Sequence, residues 1–398
     1  MAEAATAPQI WAGAARKLGL AASLLALAAC QTMVPRRRPP PAPAPTPVPV
    51  ETPRPVGPEL PDDAERHRIA LLVPLSGPNA AVGQSIANAA NLAVLDTGGR
   101  RIRITTYDTG AGASGAASRA VNEGNKIILG PLLAEDARLV APVAQRANVP
   151  VISFSNDTSV AGDGVFVMGY TPGQSIDRVV RYARSRGMTK FAGLTPTGVY
   201  GQRAANAFLR SVESAGGQVV ALQSFDRSPG GISAAITKMG ANSPYEAVLI
   251  ADGARTASQA VTLLRRGAPT AKVLGTELWN TESALASMTP LHGAWFASVP
   301  DGLYRQLANK YRARFSTAPY RISSMGYDAV LLVSRIAQDW RPGSDFPMGR
   351  LVDRDGFTGI DGPFRFRRDG VVERALEVSQ VGANGQTVVS PPPARFED

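Results

Sequence analysis

From residue 68 onward, short apolar runs alternate with segments of helical periodicity. The runs are brief and uninterrupted, which is typical of strands buried on both faces of a parallel sheet. Between them apolar residues recur at helical spacing, as in Ile176, Val179, Val180 and Ala183. The alternation predicts an α/β fold with helices on both faces of mainly parallel sheets. The predicted strands are 69–73, 102–107, 126–129, 149–154, 164–168, 191–194, 218–222, 247–251, 273–274 and 293–297.

Two interruptions of this rhythm indicate two lobes, each with its own sheet. The segment 169–173 follows a predicted strand without starting another strand–helix unit, and 292–296 breaks the alternation again. Near the end, 362–381 has the pattern of a β-hairpin that turns at Arg368-Asp369-Gly370.

The amino-terminal segment has the pattern of an export signal. Arg16 and Lys17 precede an apolar run, 18–29, which has the length of a signal core and is too short to span a membrane. The run ends in Leu27-Ala28-Ala29-Cys30, which resembles the bacterial lipobox, where lipid is attached to the cysteine. The resemblance implies a lipid-anchored periplasmic protein. Because Gln31 and not Asp follows Cys30, it also implies the outer membrane. The alternative is a signal cut elsewhere.

A proline-rich segment separates Cys30 from the folded part. Proline fixes φ and lacks a backbone donor, so residues 35–61 cannot pack as helix or sheet. At about 3.1 Å per residue, the segment reaches roughly 80 Å when fully extended. We expect it to hold the folded part away from the membrane, although an ordinary linker has the same composition.

Composition excludes several functional classes. The net charge is +10, but the basic residues are scattered, which favours solubility or attraction to an anionic surface over nucleic-acid recognition. One cysteine allows no internal disulfide, and the wide separation of the two histidines, His67 and His292, argues against a histidine metal site or a histidine base. The segment 110–115 matches G-x-G-x-x-G, yet no acid ends a strand about twenty residues later. We therefore predict a protein that is not an enzyme and has no cofactor.

Several motifs resemble the type I periplasmic binding proteins of the branched-chain amino-acid class. The segment 69–78 looks like the opening strand and first loop of that class, and Ile128-Leu129-Gly130-Pro131 looks like its next strand end. The segment 148–153 resembles the strand that follows, and Tyr200-Gly201 resembles the start of a helix in the second lobe. The resemblance covers about residues 67–390 and implies two lobes joined by three crossovers.

Three segments, 129–132, 153–157 and 274–280, more narrowly resemble the penicillin-binding protein activator lipoproteins. That resemblance implies a protein that docks on a peptidoglycan synthase in the periplasm. The alternative function is a substrate-binding lipoprotein of an ABC importer, whose partner is a permease and whose ligand is an amino acid, amide or short peptide.

The resemblance also implies domain boundaries. The chain divides into a signal peptide (1–29), a lipidated cysteine with a linker (30–66), two lobes and a tail (391–398). The first lobe is expected to combine 67–169 with 298–356, and the second 170–297 with 357–390. The crossovers are expected near 168–171, 293–298 and 355–362.

Candidate ligand residues follow from the same resemblance and from the rule that ligands bind at the carboxyl ends of parallel strands. Tyr200 and Glu277 match the tyrosine and the acid that hold an amino-acid ligand in this class. The first-lobe loops match less well, because Asp157 would repel a ligand carboxylate. A cationic or neutral ligand is the alternative. The first-lobe candidates are Ser76, Ser153, Ser155, Asn156 and Asp157.

Overall fold

The computed structural model describes residues 66–396, apart from 229 and 241–243. The predicted signal peptide, Cys30 and the proline-rich segment lie outside the described residues.

Strands and helices alternate through most of the described chain. The strands are β1 (His67–Val73), β2 (Ile102–Asp108), β3 (Ile128–Leu129), β4 (Val151–Ser153), β5 (Val165–Val167), β6 (Lys190–Pro196), β7 (Gln218–Phe225), β8 (Ala247–Ile250), β9 (Lys272–Gly275), β10 (Trp295–Ser298), β11 (Phe357–Gly359), β12 (Gly362–Phe366), β13 (Val372–Arg374), β14 (Glu377–Gly382) and β15 (Gly385–Ser390). The helices are α1 (Ala80–Asp96), α2 (Ala113–Asn122), α3 (Ala134–Arg146), α4 (Pro172–Ser185), α5 (Val199–Ser214), α6 (Gly231–Met239), α7 (Ala254–Leu264), α8 (Gly302–Phe315) and α9 (Ser324–Ile336).

The first lobe is built on a parallel sheet in the order β2-β1-β3-β4-β5. Alternate residues of β1 enter two different cores, because successive side chains of a strand point to opposite faces. Ile69, Leu71 and Val73 pack with α1 and α9, while Ala70 and Leu72 pack with α2 and α3. Burial on both faces explains why these strands read as continuous apolar runs.

The second lobe is built on a mixed sheet in the order β15-β14-β10-β9-β8-β6-β7. The strands from β10 to β7 are parallel, and β14 and β15 extend the edge as antiparallel neighbours. One face packs on α4 and α5 and the other on α6 and α7. Each lobe therefore has helices on both faces of its sheet, and the predicted two-lobed α/β fold is confirmed.

The expected assignment of residues 357–374 to the second lobe is wrong. These residues form a small antiparallel sheet, β11-β12-β13, and Phe357, Phe364 and Phe366 pack into the first core instead of the second. The sheet is held there because the Val167 N–H donates to the Gly370 carbonyl at 2.8 Å. The predicted hairpin turn at 368–370 joins β12 to β13.

The chain passes between the lobes at three places that lie close together. The first is 168–171, between β5 and α4, and the second is 299–301, between β10 and α8. The third is 375–376, between β13 and β14, and not the expected 355–362. The third crossover is later because apolar contacts keep 357–374 in the first lobe.

Candidate functional site

The loops that carry the candidate residues lie at the carboxyl ends of parallel strands in both lobes. In the first lobe they follow β1 and β4, and in the second lobe they follow β6 and β9. In parallel α/β sheets, ligands bind outside these strand ends. We call the space between the two sets of loops the crevice.

Tyr200 is positioned by a tight connection between β6 and α5. A Cβ atom at Gly201 would lie 1.5 Å from the Pro196 carbonyl oxygen, so only glycine fits there. The first lobe repeats this arrangement, because a Cβ at Gly83 would lie 1.8 Å from the Pro74 carbonyl oxygen. The glycine that follows Tyr200 thus brings the first turn of α5 against its strand.

Tyr200 and Glu277 form one cluster in the second lobe. The Tyr200 hydroxyl donates to Glu277 Oε1 at 3.1 Å and lies 3.2 Å from Thr276 Oγ1. Glu277 Oε2 is buried and has no hydrogen-bond partner within the described residues. Burial raises the pKa of Glu277 to about 7. Burial, followed by the charge of Glu277, raises the pKa of Tyr200 above its ordinary value. This carboxyl group has one oxygen available for a hydrogen-bond donor.

Asp157 is neutralised by arginines from both lobes. Its Oδ2 accepts from Arg138 of α3 at 2.8 Å, and its Oδ1 lies 2.6 Å from Arg203 Nη2 of α5. Burial alone would raise the pKa of Asp157, but hydrogen bonds from Ser159, Arg203 and Arg138 outweigh it and lower the pKa. The expected repulsion of a ligand carboxylate by Asp157 therefore does not hold, because two guanidinium groups surround this single carboxylate.

The serines of the same loop are used within the loop. Ser153 Oγ donates to the Pro131 carbonyl at 3.0 Å and accepts from the Ser155 N–H at 3.2 Å. Ser155 Oγ accepts from the Asp157 N–H at 3.0 Å. Both hydroxyls are buried, so they shape the loop.

The other two first-lobe candidates are exposed and lie in different places. Asn156 lines an outer groove together with Arg203. Ser76 lies in the loop after β1, next to Gly110. The structure thus brings Tyr200 and Glu277 together and groups Ser153, Ser155 and Asp157, while Ser76 belongs to a separate loop.

A charged cluster that the sequence did not reveal lies at the crossovers. Arg321 Nη1 donates to Asp361 Oδ1 at 2.8 Å, and Arg321 Nε lies 3.2 Å from Asp301 Oδ1. The Tyr170 hydroxyl donates to Asp361 Oδ2. Arg374 lies over the Tyr170 ring at 5.1 Å and donates to the Met168 carbonyl at 2.7 Å. We call this group the hinge cluster.

A small cavity lies between the hinge cluster and Glu277. Both lobes line it, since Arg321 comes from the first and Glu277 and Asn280 come from the second. The remaining space admits about one water molecule. Side chains of the protein therefore fill most of the base of the crevice. The lining residues are Tyr170, Thr171, Gln174, Ser175, Glu277, Asn280, Thr281, Ser298, Val299, Arg321, Arg374 and Leu376.

Neither a metal site nor a membrane-spanning helix is found in the part of the chain that the structure describes. Among those residues, no group of three or more His, Cys, Asp or Glu side chains is arranged to hold a metal ion. No helix of the same residues has the length and apolar character needed to cross a bilayer.

Comparison with known sequences gives a family match and one curated relative. A family model described as "Periplasmic binding protein" matches residues 67–386. The uncharacterized protein RP748 of Rickettsia prowazekii is 31% identical over 136 residues, which are 34% of this chain and 36% of the relative. The match thus spans only about a third of that relative's length.

Solved structures share the fold at low sequence identity. A putative branched-chain amino acid ABC transporter protein from Rhodospirillum rubrum has a TM-score of 0.72 at 19% identity and covers 81% of this chain and 100% of its own. The substrate binding protein LivJ of Streptococcus pneumoniae, solved with isoleucine, has a TM-score of 0.60 at 20% identity and covers 82% of this chain and 100% of its own. With two lobes, three crossovers and a family match over most of the described residues, this chain belongs to the periplasmic binding protein family, whose members are typically non-enzymatic ligand binders.

Proposed function

We propose that this protein binds a small molecule between its lobes and delivers it to the permease of an ABC importer, without chemical turnover. The observation that carries the proposal is the Tyr200–Glu277 cluster. In the part of the chain that the structure describes, it holds a buried carboxyl oxygen that has no hydrogen-bond partner at the crevice, where a ligand donor group would satisfy it. A buried polar atom without a partner is costly unless a ligand or water completes its hydrogen bonds.

The names of the structural neighbours support the same proposal. They are described as ABC transporter proteins, and one was solved with isoleucine. Membership of the family implies a periplasmic location, in which such a protein meets both its ligand and its permease.

A ligand-dependent change in stability tests this proposal. The full-length protein is screened by thermal unfolding against amino acids, amides and short peptides. A true ligand stabilises the folded state by about 2.7 kcal/mol at a hundredfold excess over its Kd. Glu277→Gln and Tyr200→Phe should reduce the shift. Arg255→Gln should leave it unchanged, because the Arg255 side chain is 77% exposed and its ion-pair partner among the described residues is Glu282. If no compound shifts the thermal unfolding transition and the purified protein carries no small molecule, the proposal that this protein binds a ligand is wrong.

A second candidate function is activation of a peptidoglycan synthase by direct docking. Its support is the resemblance of 129–132, 153–157 and 274–280 to the activator lipoproteins, together with the lipobox-like Cys30 and the long proline-rich segment. The filled base of the crevice also favours it, because a docking protein needs no space for a ligand.

Two experiments separate the second candidate from the first. An activator should retain a penicillin-binding protein in a pull-down from envelope extracts. Deletion of 35–61 should abolish its effect in cells while the isolated protein keeps its thermal transition. Normal function of the shortened protein would contradict the proposal that 35–61 is needed to hold the folded part away from the membrane. Lipid on Cys30, and with it an outer-membrane location, is tested by the mass of the mature amino-terminal peptide, and Cys30→Ser should remove the lipid.

A further inference from the structure

A pocket on the first lobe lies at the opposite end of the sheet from the crevice. It has a volume of about 400 Å³, which is within the range of about 300–1,000 Å³ typical of small-molecule sites. Its walls are the connection 97–102, which joins α1 to β2, and the carboxyl-terminal part of α9. Ile102 is the first residue of β2, so the pocket lies at the amino ends of the first-lobe strands, whereas the crevice lies at their carboxyl ends. We call it the arginine pocket.

The charged residues that line the arginine pocket are all arginines. Arg100 and Arg101 come from the connection before β2, and Arg335 comes from α9. None of the three forms an ion pair with another described residue. Arg101 Nη1 lies 3.4 Å from the Gln338 carbonyl oxygen, which is long for a hydrogen bond. The pocket thus collects positive charge that is not paired with any carboxylate of the described residues.

The acids next to these segments in the chain are engaged with other partners. Asp96, just before the connection, accepts from Lys310 at 2.8 Å and from the Tyr327 hydroxyl at 2.6 Å. Asp339, just after α9, lies 3.3 Å from Arg350 Nη1. Neither carboxylate lines the pocket, so its arginines are available to an anion from outside the chain.

The carboxyl ends of two helices account for part of the need for positive charge. α1 ends at Asp96 and α9 ends at Ile336, both next to residues that line the pocket. A helix end of this kind carries about half a negative charge, which favours an arginine there. Two helix ends therefore balance about one of the three positive charges, and about two remain. A phosphate monoester carries a charge of about −1.5 to −2 at neutral pH, whereas a carboxylate carries half as much.

Apolar side chains and one unpartnered hydroxyl complete the lining. Ile102 is buried, and Leu331 packs against the first core. Ser334 Oγ is buried and has no hydrogen-bond partner within the described residues. A buried polar atom without a partner is unfavourable unless a ligand or water completes its hydrogen bonds. Apolar walls also reduce the screening of charge by water, which strengthens hydrogen bonds between guanidinium groups and phosphate oxygens.

We propose that the arginine pocket binds a phosphate monoester, carried either by a soluble compound or by a phospholipid headgroup. Arg100, Arg101 and Arg335 donate hydrogen bonds to its oxygens. The His67 N–H donates to the Arg101 carbonyl at 2.8 Å, so the pocket lies beside the start of β1, where the part of the chain that contains Cys30 joins the lobe. The site is separate from the crevice, and the proposal therefore goes beyond the ligand-binding function proposed above.

Inorganic phosphate is the first probe, and it is used with the full-length protein. Thermal unfolding is followed at neutral pH in sodium phosphate and in sodium chloride of equal ionic strength. Phosphate should raise the Tm of the wild type above its value in chloride, in a concentration-dependent manner. In Arg101→Gln and Arg335→Gln, at least about tenfold more phosphate should be needed for the same shift, because each substitution removes hydrogen bonds between charged groups.

Arg314→Gln is the matched control. Arg314 is an exposed arginine in the last turn of α8, as Arg335 is in the last turn of α9, but it does not line the pocket. Its phosphate response should equal that of the wild type. Each variant is compared with itself in chloride, which removes differences in basal stability. A wild type that phosphate stabilises no more than chloride does, or pocket variants that respond as fully as the wild type, would overturn the proposal.

Vesicles distinguish the two sources of the phosphate. Co-sedimentation of full-length Cys30→Ser protein, which has no cysteine for lipid attachment, is measured with vesicles of phosphatidylcholine alone and of phosphatidylcholine that contains phosphatidic acid. Retention that requires phosphatidic acid and is lost when Arg101→Gln and Arg335→Gln are combined assigns the site to a membrane phosphate. Stabilisation by glycerol 3-phosphate without retention that depends on these arginines assigns it to a soluble phosphate compound. If the combined variant equals its parent in both assays, the arginine pocket is not a phosphate site.

Discussion

The ion pair between Asp157 and Arg203 joins the two lobes across the crevice. Asp157 follows β4 in the first lobe, Arg203 lies on α5 in the second, and Arg203 Nη2 is 2.6 Å from Asp157 Oδ1. We predict that this pair stabilises the closed arrangement of the free protein. The perturbation is a double-mutant cycle that consists of Asp157→Asn, Arg203→Gln and the double variant.

The magnitude follows from the exposure of the two side chains. Asp157 is 9% exposed and Arg203 is 33% exposed, so the pair lies between a surface pair and a buried one. Exposed pairs contribute about 0.2–1 kcal/mol, and breaking a buried pair costs about 3–5 kcal/mol. Loss of Arg203 leaves Asp157 paired with Arg138, and Asp157→Asn deprives two arginines of their carboxylate, but both arginine side chains keep contact with water, at 54% and 33% exposure. We therefore expect a coupling free energy of about 1 kcal/mol, which changes the ratio of closed to open protein about fivefold.

The assay is urea unfolding of the full-length protein, with a second cycle as a control. Asp177 and Arg181 form an ion pair within α4, at 2.8 Å and with both side chains exposed. Their coupling should be about 0.3–0.5 kcal/mol. If the Asp157–Arg203 coupling is no larger than this control, the pair does not hold the lobes together and the reasoning from its burial is refuted.

Three further predictions concern single residues. Since burial raises the pKa of Glu277 to about 7, the folded state binds its proton more tightly than the unfolded state, and stability falls as the pH rises from about 4.5 to about 7. Glu277→Gln should reduce this slope by at most about 3 kcal/mol in urea unfolding at pH 5 and pH 8, while Asp328, whose pKa burial also raises, keeps its own share; an unchanged slope would contradict the burial of the Glu277 carboxyl group. Gly201→Ala should lower the free energy of unfolding by at least about 3 kcal/mol, because its Cβ would overlap the Pro196 carbonyl. Gly115→Ala, with open space around it in α2, should instead raise the free energy of unfolding by about 0.5–1 kcal/mol. Calorimetry of the two variants checks both predictions, and changes of the same sign would contradict them.

The strands and their parallel arrangement could be predicted because burial leaves a local trace in the sequence. Runs such as 69–73 and 247–251 are apolar throughout, since both faces of their sheets are covered. Tyr200-Gly201 stood out in the sequence only through its resemblance to a family motif, and the structure supplies the physical reason for the glycine, because a Cβ atom there would overlap the Pro196 carbonyl. The two-lobed fold follows from such local patterns.

The hinge cluster could not be predicted because its members are brought together only by the folded chain. Tyr170, Arg321, Asp361 and Arg374 lie far apart in sequence, and a buried charged residue has no periodicity that distinguishes it from an exposed one. The lobe predicted for residues 357–374 was wrong for a similar reason. Its alternating aromatic residues indicate a sheet with one buried face, but not which core that face covers.

The presence of a small ligand in the crevice is tested most directly by a native mass spectrum of the full-length protein, purified without denaturation. We predict a population heavier than the bare chain by the mass of a small molecule, and this population should be depleted in Glu277→Gln. A spectrum of the bare chain alone, together with an unchanged thermal transition in every amino acid tested, would contradict it.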